Sequence, residues 1–75
     1  MNAFRALDRS ELVIGDEDLG LFFIWYGGVR VHIYDESFRE VDLFTMSSGA
    51  RGTVTPRQVR ASIEARRRQI REEQE

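Results

Sequence analysis

Imidazole chemistry in this chain has one candidate, His32, the single histidine among 75 residues. Glu40 follows on what reads as the neighbouring strand, where its carboxylate can orient the ring, and Ser47 or Ser48 would be the hydroxyl nucleophile. Nothing in the spacing brings a serine to the ring, and a mid-sheet histidine beside a glutamate is ordinarily just a paired side chain. No catalytic residue is assigned, and the chain reads as a non-enzyme. An interface that responds to pH suits the pair better, because imidazole changes charge near neutrality.

Metal and cofactor chemistry finds less. With no cysteine there is no thiolate nucleophile, zinc–sulfur site or disulfide. Asp16-Glu17-Asp18-Leu19-Gly20 opens like a calcium loop, but glycine stands at the fifth position, where a side-chain oxygen is needed, and the closing glutamate is missing. It reads as an acidic turn. Gly49-Ala50-Arg51-Gly52 precedes a helix and could present backbone N–H groups to an anion, yet it lacks the lysine and spacing of a phosphate loop and reads as a connector. No metal or cofactor is expected.

Charge offers a third chemistry. All eleven basic residues are arginine, and the net charge of −2 hides an asymmetry: residues 1–50 carry four arginines against nine acids, residues 51–75 seven against four. Arg57, Arg60, Arg67, Arg68 and Arg71 share a broad side of the C-terminal helix and could grip phosphates. The competing expectation is a solvated face laced by Arg60–Glu64, Glu64–Arg68, Arg68–Glu72 and Arg71–Glu75, all four apart. An acidic chain is a poor dedicated nucleic-acid binder, so nucleic acid is the alternative partner and not the leading one.

These side chains are positioned by a meander. Leu21 to Met46 holds most of the apolar residues and reads as antiparallel strands, with Glu11–Gly15 a short edge strand whose Leu12 and Ile14 share a face. Gly27-Gly28 predicts a two-residue hairpin, pairing Ile24 with Val31 and Phe22 with Ile33 on one face, and Trp25 with Arg30, Phe23 with His32 and Leu21 with Tyr34 on the other. A three-residue turn around Asp35-Glu36-Ser37 then sets Val31 opposite Val41, Val29 opposite Leu43, Arg30 opposite Asp42 and His32 opposite Glu40. A helix follows from Pro56 to about Glu73, with Thr55 as N-cap and Gln58 closing a capping box. Val59 and Ile63 pack on the sheet, and the last two turns project outward. Residues 1–10, with Phe4 and Leu7, form a short helical turn or a frayed end, and residues 72–75 fray.

The fold class is therefore a small α+β domain spanning residues 1–75: a three- to four-stranded antiparallel meander with one C-terminal helix on one face. In that register Phe22, Ile24, Tyr26, Val29, Val31, Ile33, Val41 and Leu43 lie under the helix. The second face presents Leu21, Phe23, Trp25, Arg30, His32, Tyr34 and Phe44. Burying three aromatics of roughly 150–250 Å² each, at ~25 cal/mol per Å², is worth on the order of 10 kcal/mol as an upper bound. A chain of this size cannot leave that surface wet. The second face is expected to be covered by the N-terminal segment with Phe4, Leu7 and Leu12, by a second copy of the chain, as a homodimer, or by a larger protein, and the leading reading is a homodimeric small regulator or inhibitor. Trp25→Ala would then abolish association and leave a folded domain. With no apolar run near the ~18 residues of a membrane span and no signal-like start, a cytoplasmic location is expected.

Overall fold

β-Branched and aromatic runs separated by glycine- and aspartate-bearing turns favour strands, and four of them form. β1 (Leu12–Asp16), β2 (Leu21–Trp25), β3 (Arg30–Asp35) and β4 (Glu40–Thr45) pair antiparallel in sequence order, and helix α1 (Pro56–Gln74) follows. The computed structural model describes residues 9–49 and 52–74. Phe4 and Leu7, and any helical turn they make, lie outside the described residues. The α+β architecture is the one the sequence predicts.

The strand phase is not. Trp25 pairs with Val31, Phe23 with Ile33 and Ile24 with His32, one residue away from the predicted register. The cause is the first turn. Gly27 takes a positive φ of 102° but Gly28 does not, so no two-residue turn with both centres left-handed is made. Tyr26, Gly27, Gly28 and Val29 form a four-residue connection between the strands. The Trp25 indole N–H donates to the Gly28 carbonyl at 2.7 Å, giving a buried donor the partner it requires. The positive φ at Gly27 is what favours glycine there; the Glu11 carboxylate, which a Cβ would meet at 2.7 Å, is the flexible end of an exposed side chain.

A second shift follows at β4. The turn is Glu36-Ser37-Phe38, one residue later than predicted, with Asp35 Oδ1 accepting the N–H groups of Ser37 and Arg39 at 2.9 and 3.0 Å. Phe38 itself occupies the left-handed position, φ 59°, where a glycine would be expected. Its ring stacks on Phe22, centroids 5.1 Å apart, which holds an otherwise unfavourable backbone in place. A bulge beside Tyr34 then leaves Val41 unpaired, and Val31 faces Phe44 while His32 faces Leu43. Phe44 therefore turns toward the helix, and Leu43 and Val41 turn away from it.

The core is accordingly Phe23, Trp25, Val31, Ile33 and Met46 from the sheet against Val59 and Ile63 of α1, with Leu12, Ile14, Leu21, Phe44, Val54 and Ile70 packed around it. Phe23 and Trp25 are 0 and 4% exposed. The predicted interface pair is interior, and Phe22, Ile24, Tyr26, Val41 and Leu43, predicted inside, lie on the other face. Helix α1 starts as expected, the Gln58 N–H donating to Thr55 Oγ1 at 3.2 Å. The Gln58 side chain does not close the capping box; it reaches the Ser47 carbonyl and ties the helix start to the end of β4. Among the described residues no helix is long and apolar enough to cross a membrane.

Candidate functional site

Strand alternation lays one row across all four strands on the face away from α1: Val13, Ile24, His32 and Leu43. Val13, Val41 and Leu43 are 39, 53 and 41% exposed, the large apolar side chains most open to water among the described residues. The middle of the row is sealed. Tyr26 lies just past the end of β2, two residues beyond Ile24, and Tyr34 lies two beyond His32 on β3, toward the opposite end of the strands. Their hydroxyls nevertheless meet at 3.2 Å, so the two rings lean toward each other over the Ile24–His32 pair. Ile24 is fully buried beneath them. The Tyr26 ring also meets the His32 ring edge-on, centroids 5.3 Å apart.

His32 Nδ1 contacts Glu40 Oε1, the predicted partnership, although Glu40 sits diagonally and Leu43 stands directly opposite. Ser47 lies on the helix side of β4, beside Ser62 and Gln69, while His32 is on the outer face. The structure does not bring the predicted serine and histidine together. Desolvation, the Tyr34 hydrogen bond and the Tyr34 and Glu40 charges push the Tyr26 phenol well above 10.0, its ordinary value. A phenol raised in the fold stays protonated where the unfolded chain ionises, so its contribution is complete below about pH 10 and is lost as pH rises beyond it. Alkaline titration of the folded fraction by circular dichroism should show this loss in the native chain. Tyr26→Phe should flatten it; an unchanged alkaline profile would contradict the tyrosine bridge.

The second cluster was not foreseen. The alternation that turns Leu12 and Ile14 inward also turns Asp16 inward, and its carboxylate is 1% exposed. Asp16 Oδ2 accepts from Arg67 Nε at 2.6 Å and from Arg71 at 3.1 Å, while Asp16 Oδ1 accepts the Leu19 N–H at 3.0 Å. Arg67 also pairs with Glu64, and Arg71 lies 3.7 Å from Asp18. The last turns of α1 are thus fastened to the acidic turn and do not project freely. Glu64 pairs at three residues' distance with Arg67, not with Arg60 or Arg68 as the four-residue spacing predicts; Glu75 lies outside the described residues. Among the described residues no group of acids and histidines is arranged to hold a metal.

The predicted site residues are therefore dispersed. Phe23 and Trp25 are core, and Leu21 and Phe44 pack at its margin. Arg30, His32 and Tyr34 share the outer face. Of the five helix arginines predicted to grip phosphates, Arg67 and Arg71 are committed to Asp16, leaving Arg57, Arg60 and Arg68 toward solvent. In the 49–52 connector the Gly49 and Gly52 N–H groups bond Thr53 O and Gly49 O at 2.9 and 3.0 Å, so neither donor points at an anion. Comparison of the chain with family models, curated proteins and solved structures gives no match, and its function is read from this geometry alone.

Proposed function

We propose that the chain is a non-catalytic protein–protein interaction module of the cytoplasm, homodimeric, acting as a small regulator or inhibitor of a larger protein through the outer face of its sheet. The observation that supports this is the row Val13–Ile24–His32–Leu43 with Val41 at its margin: exposed aliphatics flank a rigid tyrosine bridge, on the face opposite the helix. Aromatic side chains with a histidine and an arginine nearby suit the centre of an interface better than ordinary surface. Arg30 and His32–Glu40 give that face polar groups that fix orientation, while Val13, Val41 and Leu43 supply area to be removed from water. The interface set thus becomes Val13, Arg30, His32, Val41 and Leu43 over the buried Tyr34, with Leu21, Phe23, Trp25 and Phe44 removed from it.

Sedimentation equilibrium tests self-association. The native chain should approach twice its monomer mass at high micromolar concentration. Leu43→Arg should stay monomeric with unchanged circular dichroism, because the side chain lies outside the core. A native chain that remains strictly monomeric would overturn the homodimer.

A further inference from the structure

We infer that the groove between the edge strand β4 and helix α1 is a second binding site, one that takes an extended peptide segment carrying an Asp or Glu side chain. The groove, about 290 Å³, is walled by Phe44, Thr45 and Met46 on the strand side and by Ala65, Arg66 and Gln69 on the helix side. That volume is near the ~300 Å³ lower bound of small-ligand sites and suits a side chain or two of a longer segment. Ala65 keeps the helix wall low.

Two features say what fits. The first is Arg66, half-buried, whose guanidinium lies 4.7 Å from the centroid of the Phe44 ring. Among the described residues it forms no ion pair, whereas Arg67 and Arg71, one residue and five residues further along, are both matched by carboxylates. The cation–π contact holds the guanidinium at the wall of the groove, and its N–H groups suit a carboxylate, which arginine can bind in bidentate fashion. The second is the backbone of β4. Met46 donates to Val29 O, so Thr45, the residue before it, points its N–H and C=O away from β3, toward the open edge. An extended segment laid along that edge bonds Thr45 through its main chain and reaches Arg66 with an acidic side chain, the strand-addition mode of peptide capture. Leu43, the next outward residue up the strand, has its N–H capped by the Asp42 carboxylate at 2.8 Å. That cap, an acidic group on an otherwise open edge, halts pairing there and confines it to the stretch beside Arg66.

The site is distinct from the outer sheet face, on the other side of β4, and its test is independent of dimer formation. The probe is a display library of random peptide segments embedded within a carrier, so that no free C-terminal carboxylate is offered, selected on the whole chain. Enriched segments should share an Asp or Glu among strand-forming residues. Replacing that acid by its amide should weaken binding at least about tenfold, the usual worth of a charge-assisted bond in a partly desolvated site. Arg66→Gln should remove the preference for acid over amide, and Ala65→Trp, which fills the groove from the exposed side of α1, should abolish binding with the circular dichroism spectrum retained. Amide shifts on titration should centre on Phe44 to Ser47 and Arg66. No enrichment, enrichment without an acid, binding that survives both substitutions, or shifts centred on Val13 and His32 would each overturn the inference.

Discussion

Asp16→Ala should leave little of the chain folded. The carboxylate is buried, and its removal leaves the Arg67 guanidinium, only 21% exposed, with the exposed Glu64 as its one remaining carboxylate among the described residues. Breaking a buried pair from one side costs about 3–5 kcal/mol, and partial exposure of Arg67 and Arg71 places the loss near 3. A single core of this size rarely holds more than ~3–5 kcal/mol in total, so the loss is nearly the whole stability. Urea denaturation followed by circular dichroism checks it. Asp16→Ala combined with Arg67→Met should recover part of the deficit by removing the stranded charge, while Asp18→Ala, at an exposed and longer contact, should change little. The same carboxyl sets an acid limit. Burial alone would push it up, but the Arg67 hydrogen bond, the Leu19 N–H and the charges of Arg67 and Arg71 outweigh that and hold it below its ordinary 3.8. A carboxyl depressed in the fold contributes stability that is present above its unfolded value and lost as pH falls through its folded one. The native chain should therefore weaken below about pH 4. A variant with Asp16 as stable as the native chain when replaced by alanine would contradict the latch.

Trp25→Ala is the other large effect, and its sense is opposite to what the predicted register implies. An interface tryptophan would be dispensable to folding; an interior one is not. The indole packs in the cluster beneath Val59 and Ile63 and closes the first turn through Gly28. Truncation opens a cavity and should cost about 3–5 kcal/mol, enough to unfold the chain. Trp25→Phe keeps most of the volume and loses the turn's hydrogen bond, so about 1 kcal/mol is expected. Urea midpoints separate the two. If Trp25→Ala remained fully folded, the indole would lie outside the core.

The difference between the register read from the sequence and the one observed has a definite origin. β2 is Leu-Phe-Phe-Ile-Trp, apolar at every position, so alternation carries no phase and the neighbouring turn alone decides it. Gly27-Gly28 suggests a two-residue turn; the need of the indole N–H for an acceptor selects a longer one. β4 alternates cleanly, and its Val41 and Leu43 signal inward placement, but a bulge reverses them. Phe38 in a left-handed turn has no sequence signature apart from its stacking partner Phe22. The physical premise about the aromatics nonetheless holds: surface of that size is not left in water. It is satisfied within the chain, with β2 turning Phe23 and Trp25 under the helix, and what remains outside is smaller and aliphatic. The strand order, the helix start at Thr55 and the His32–Glu40 contact were legible because each rests on local chemistry. Asp16, read from the sequence as part of an acidic turn, was missed; the signal that would have found it is the Leu12–Ile14 alternation extended by one step, under a helix whose Val59–Ile63 line continues into Arg67 and Arg71, which puts an acid beneath two guanidiniums.

Both the outer-face interface and the interior tryptophan depend on this one strand phase. Solvent paramagnetic relaxation of assigned side-chain signals, recorded on dilute and concentrated samples, reports on it directly. Phe23, Trp25, Val31 and Val59 should be protected at both concentrations. Val13, Val41 and Leu43 should relax strongly in the dilute sample and gain protection in the concentrated one. Strong relaxation of Phe23 and Trp25 in the dilute sample, or Leu43 relaxing equally in both, would contradict it.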